Sequence, residues 1–206
     1  MLYRQKEIRL GNITTSETEI IDLLKAWIVI SIAFAVVLRS SFSYNFYLVF
    51  IIASLTVGTG FLLHELGHKI VAQRYGCLAE FRSFDNMLIL ALVMSFFGFV
   101  FAAPGAVMIS GRINSRKNGV ISIAGPLVNI GLALIFLLLA FSQPENLFKV
   151  IAYYGFMINS WLALFNMIPF WLFDGYKVWK WSKAAYFSIA AVAFLLVVLR
   201  PYLLLK

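Results

Sequence analysis

Apolar residues run through this chain in long blocks, not at the one-face spacing of a soluble helix or the alternation of a half-buried strand. The first block, roughly Ile20 to Leu38, is interrupted early by Asp22 and Lys25 and closed by Arg39-Ser40-Ser41. It reads as a short span whose polar ends reach toward the membrane surface. A second block, Tyr44 to about Ala72, is long enough to cross a bilayer. A polar patch, Lys69 to Asp85, then precedes an awkward block from Asn86 to Ser110 that is broken by Pro104-Gly105. Further blocks at Gly119–Phe141, Val150–Phe173 and Ala184–Leu199 are separated by polar or basic connections. This pattern predicts an all-α polytopic membrane protein with about five transmembrane helices. Residues 1–206 form a single transmembrane domain in this reading, with 1–25 as a polar lead-in and 184–206 as the C-terminal span.

Composition agrees with the pattern. The chain is 62% hydrophobic and 13% charged, against about half and a quarter in soluble domains. A net charge of +8 would point to nucleic acid in a soluble protein, but basic residues also collect in cytoplasmic loops of membrane proteins, so no nucleic-acid partner is expected. The single cysteine, Cys77, excludes an internal disulfide and a paired-thiolate metal site. The first 20 residues mix both charges and do not resemble a cleaved signal peptide.

The chemistry concentrates in Phe61-Leu62-Leu63-His64-Glu65-Leu66-Gly67-His68, inside the second block. His64 and His68, the only two histidines, stand four apart and so share one helix face, where they can hold one metal ion. Glu65 is placed to take a proton from a metal-bound water. Thr56 and Gly60 lie on the face of His64, with Gly67 close by, and let a neighbouring helix come near. Otherwise, the two histidines would be hydrogen-bonding residues buried in a helix bundle, or ligands of a haem or a transported ion; the last two leave Glu65 without a task.

Glu65 and Asp174 are the acidic residues that fall well inside, or at the end of, a long apolar block. Two uncompensated carboxylates at mid-membrane would cost roughly 5–7 kcal/mol, as much as a whole domain's net stability. A cation removes much of that penalty. Two imidazoles and the Asp174 carboxylate would complete three protein ligands of a zinc ion, Zn2+, with a fourth position open for water. Alone, Asp174 also reads as a turn residue in Asp-Gly. A third histidine ligand is excluded because none exists, and Glu80 and Glu145 lie in polar connections.

If His68 and Asp174 serve one metal, the ends of their blocks lie at the same side and depth. Two spans, 119–141 and 150–173, separate them, so 86–110 must cross an even number of times or not at all. It is too short for two helical crossings at about 20 residues each. It is therefore predicted to be a re-entrant segment, a partial helix followed by an extended stretch, Gly105 to Ser110, as a short β element. With a cytoplasmic N-terminus, all but four (Arg39, Lys149, Arg200, Lys206) of the 17 Lys and Arg then face the cytoplasm. Both arguments put the metal toward the cytoplasmic side of a multi-pass integral membrane protein.

His64-Glu65-Leu66-Gly67-His68, Gly125-Pro126-x-x-Asn129 and Asn166-x-x-Pro169-x-x-x-x-Asp174-Gly175 occur in that order. Together they resemble the site-2 protease family of intramembrane zinc metalloproteases (peptidase M50-like) over residues 46–176, which would then be the catalytic core. The resemblance implies zinc ligation by His64, His68 and Asp174 and a catalytic base at Glu65. It also implies substrate binding or oxyanion stabilisation by Asn129 and Asn166, for which interhelical hydrogen bonding is the plainer alternative. The implied partners are a transmembrane protein substrate and the lipid bilayer. The chain lacks the PDZ domain of many bacterial relatives and the CBS domain of others, and Phe173-Asp174-Gly175 stands where Leu or Met is commoner before the Asp-Gly pair. The rival expectations are a catalytically silent, membrane-protein-binding member of the same fold, which predicts loss of Glu65 or a ligand, and a metal or ion transporter.

Overall fold

The structure, a computed structural model, describes residues 7–11, 13–39, 44–100, 103–142, 144, 146–171 and 173–204. Among the described residues, four helices are long and apolar enough to cross a membrane: Glu17–Leu38, Phe46–Arg74, Ser115–Ser142 and Leu147–Asn166. The segments fall into two compact units, one of 1–54 with 69–112 and one of 55–68 with 113–206.

In the first unit, strands β1 (Glu7–Leu10) and β2 (Ile13–Ser16) pair antiparallel, Glu7 opposite Ser16. This hairpin occupies part of the 1–25 segment that the sequence reads only as a polar lead-in. Helix α1 (Glu17–Leu38) starts directly after it, with Ser16 as its cap: the hydroxyl accepts from Glu19 N at 3.2 Å. At about 1.5 Å per residue, its 22 residues span about 33 Å, enough for a bilayer core of about 30 Å. Asp22 and Lys25, which interrupt the first apolar block, form an ion pair at 3.3 Å. Lys25 also reaches Asp85 at 2.5 Å, and Asp22 accepts from Ser83 Oγ at 3.0 Å.

The Phe46–Arg74 span is not one uniform helix. Asn45 caps α2 (Phe46–Ala53), a π-helical turn covers Ser54–Gly58, and α3 (Thr59–Arg74) carries the histidines. Such a turn is a common accompaniment of functional sites.

The awkward block resolves as α4 (Asp85–Ser95), a turn, and strand β4 (Gly105–Ser110), which pairs antiparallel with β3 (Leu78–Ser83). The helix has 11 residues, about 16 Å, which is half of a bilayer core. Ser83 lies opposite Gly105, and Phe84 N bonds Pro104 O at 3.0 Å. Segment 84–104 therefore leaves and returns at one place, with the partial helix and extended stretch that the sequence predicts.

In the second unit, α5 (Ser115–Ser142) and α6 (Leu147–Asn166) pack along each other, joined by α7 (Asp174–Trp181) and α8 (Lys183–Leu204). Its core gathers Ile130, Ala133, Phe156, Ala163, Ala193 and Leu196. The basic stretch Lys177, Lys180 and Lys183 is not a simple loop: residues 174–181 wind into a short amphipathic helix that buries Asp174, Gly175 and Val178.

Candidate metal centre

Helix periodicity alone stacks His64 and His68, with ring centroids 4.6 Å apart and planes at 86°. Their Nε2 atoms lie 3.0 Å from each other. Helix α6 ends at Asn166, ahead of Ile168-Pro169, because the residue before a proline is pushed out of helical geometry. The chain then restarts as α7, whose first residue is Asp174. Asp174 Oδ2 lies 3.3 Å from His64 Nε2 and 3.0 Å from His68 Nε2. All three residues are buried. Among the described residues, this is the cluster of His, Cys, Asp and Glu able to hold a metal ion.

The outer nitrogens are tied down as well. His68 Nδ1 donates to Ile121 O at 2.8 Å, since a carbonyl can only accept. Pro126 lacks an N–H for the carbonyl one turn before it, at Ser122, in the stretch of α5 next to Ile121. His64 Nδ1 meets Asn129 Oδ1 at 2.6 Å. Both rings thus turn their Nε2 atoms toward Asp174. Asp174 lies outside the four long helices. Lys177 Nζ lies 3.6 Å from the other oxygen, Oδ1.

With both Nδ1 atoms turned outward, neutral rings direct two nitrogen lone pairs and a carboxylate oxygen at one point, an arrangement that a bound cation satisfies. Separations of 3.0, 3.0 and 3.3 Å match the spacing of about 3.3 Å between tetrahedral ligands about 2.0 Å from zinc. Two nitrogens and one oxygen suit zinc by type as well. Gly125 supplies the room: a Cβ built there would lie 2.5 Å from both Nε2 atoms. The residues present fit a zinc ion.

The structure brings His64, His68, Asp174 and Asn129 together. Glu65 follows His64 on α3 and is half-buried. Asn166 is not part of the cluster's hydrogen bonding: its Nδ2 donates to Leu162 O, one turn back in its own helix, at 2.9 Å. Asn129 is used at both ends, Oδ1 on His64 and Nδ2 on Gly60 O (3.2 Å) and Asn159 Oδ1 (2.9 Å). Asn159, fully buried on α6, escaped the sequence reading. Its signal is an amide in an apolar span, seven residues before Asn166 and so on the same helix face.

No family model matches the chain, and no solved structure does. Among curated proteins, it is 46% identical over 172 residues to a Methanocaldococcus jannaschii protein named "Putative zinc metalloprotease MJ0611". The alignment covers 81% of this chain and 86% of that relative.

Proposed function

Since this chain belongs to the zinc metalloprotease family, we propose that it is an intramembrane endopeptidase of the site-2 protease type, cutting other proteins within or near their transmembrane segments. The observation that carries the reading is a buried His64–His68–Asp174 triangle in a chain with four helices apolar enough to span a bilayer. A soluble peptidase has no use for such helices, and a silent member of the fold would have no reason to keep Glu65 beside intact ligands.

His64, His68 and Asp174 hold the ion. Zinc, when bound, supplies Lewis acidity that makes water nucleophilic near neutral pH and polarises a carbonyl. Glu65 accepts the proton of the attacking water and passes it to the leaving amine. Substrate contact is assigned to Asn166 rather than to Asn129, because both amide hydrogens of Asn129 are spent on Gly60 and Asn159. A substrate helix shields its own carbonyls, so it must unwind before cleavage. The basic residues favour a site that opens toward the cytoplasm.

Cleavage of a single-span substrate in detergent tests this. Glu65→Gln should retain zinc and lose about 10²–10⁴-fold in rate, and chelator treatment should abolish cleavage. Equal cleavage by wild type, variant and chelated protein would remove the proteolytic reading.

A further inference from the structure

The buried amides beside the metal centre form a chain whose polarity is fixed at its far end. Asn159 sits opposite Gly155 O at 2.9 Å, and a carbonyl accepts only, so the Asn159 atom there is Nδ2. Its Oδ1 must then face Asn129. The Asn129 atom beside it lies within reach of a second carbonyl, Gly60 O, and is Nδ2 by the same logic. Asn129 Oδ1 is left to face His64 Nδ1. An amide oxygen cannot donate, so Nδ1 carries the hydrogen and the neutral ring presents its Nε2 lone pair toward His68 and Asp174. Asn129 and Asn159 are both fully buried, which leaves no water to substitute for a missing partner. Gly60 is part of the same construction, because a Cβ there would lie 2.5 Å from Asn159 Oδ1.

We propose that Asn159 is a positioning residue of the metal centre: acting through Asn129, it fixes His64 as the Nδ1–H tautomer and so prepares Nε2 for the metal. Without it, one Asn129 hydrogen loses its acceptor, and only Gly60 O resists a flip that would present NH2 to His64. His68 is held independently by Ile121 O and serves as an internal reference. The inference rests on the metal-centre reading alone. A protein that bound zinc and cleaved nothing would sink the protease reading and leave this one standing.

The test uses the chain's possession of just two histidines. In zinc-free protein labelled with 15N-histidine, at a pH high enough for both rings to be neutral, both imidazoles should carry their hydrogen on Nδ1. Asn159→Leu keeps the branched shape, with bulkier ends, and removes both hydrogen bonds. It should turn His64 into a mixture of tautomers, leave His68 unchanged, and weaken zinc binding in chelator competition by about tenfold, the lower end for outer-shell changes. Asn159→Asp, neutral at so buried a site, can donate to Gly155 O and accept from Asn129, and should match wild type in both readings. If Asn159→Leu does not fold, Asn159→Ala takes its place with the same expectations. The proposal is overturned if wild-type His64 carries its hydrogen on Nε2, or if the apolar variant keeps wild-type tautomer and affinity. Equal disturbance of His64 and His68 by both the apolar and the aspartate variants also overturns it, leaving Asn159 a packing residue.

Discussion

Around Glu19 the protein buries charge against charge, whereas around His64 it buries neutral amides beside three atoms that all need a cation. Lys69 Nζ reaches Glu19 Oε2 at 2.5 Å, Thr15 Oγ1 donates to the same oxygen at 2.7 Å, and Phe81 N donates to Oε1 at 2.9 Å. Lys69 and Glu19 are almost wholly buried. Each charge has its opposite, and the network is complete as the chain provides it. At the metal centre the peripheral atoms are equally well matched, with Asn129, Asn159 and Ile121 all in register. The inner atoms, two Nε2 and one Oδ2, are all acceptors. Burial of polar groups does not by itself mark a functional site; an unbalanced set of signs within it does. His68 and Lys69 are adjacent in sequence, yet one belongs to each arrangement.

The sharpest way to break this comparison is Gly125→Ala. Its added methyl would occupy the space at the tips of both imidazoles, so metal analysis should find no stoichiometric zinc while helical content is retained. Stoichiometric zinc in that variant would show that the open space is not where the ion sits. Next in size, Lys69→Met leaves the Glu19 carboxylate buried without its partner and should cost about 3–5 kcal/mol in denaturant titrations in detergent. Adding Glu19→Gln, which can still accept from Phe81 N, should recover most of that loss. A single variant as stable as wild type would mean that the charges are not paired as described. The smallest effect is expected from Ser16→Ala, which removes the α1 cap leading into Glu19 and should lower stability by about 1 kcal/mol with zinc content unchanged. A fall in zinc content there would tie the two arrangements together more closely than their hydrogen bonds do.

Much of the metal centre was legible because the chemistry is scarce. With two histidines in the chain and Asp174 at the end of an apolar block, few side chains could meet a cation in lipid, and the structure brings those three together. The partial helix and strand within 86–110 were legible from Pro104-Gly105 and from the length of the block. The β1–β2 hairpin was hidden because Arg9, Glu7 and their neighbours read as surface charge, and the strands are only four residues each. Helix α7 was hidden by its lysines: at eight residues it is stabilised by burying Val178 against its neighbours rather than by an apolar run of its own. Asn159 was hidden for a different reason. Periodicity tells which face a residue occupies, but not which atom of another helix stands opposite.

Gly125 contributes no donor, acceptor or charge, so a survey of reactive side chains would pass over it. Where related chains have diverged, the retention of histidines and aspartate is then an incomplete criterion for a working enzyme. A descendant that kept all three ligands but gained a methyl at this position would look intact in an alignment and be inert in the membrane. The open space belongs to the site as much as the ligands do, and whether it persists is the simpler mark for telling a live copy from a decoy.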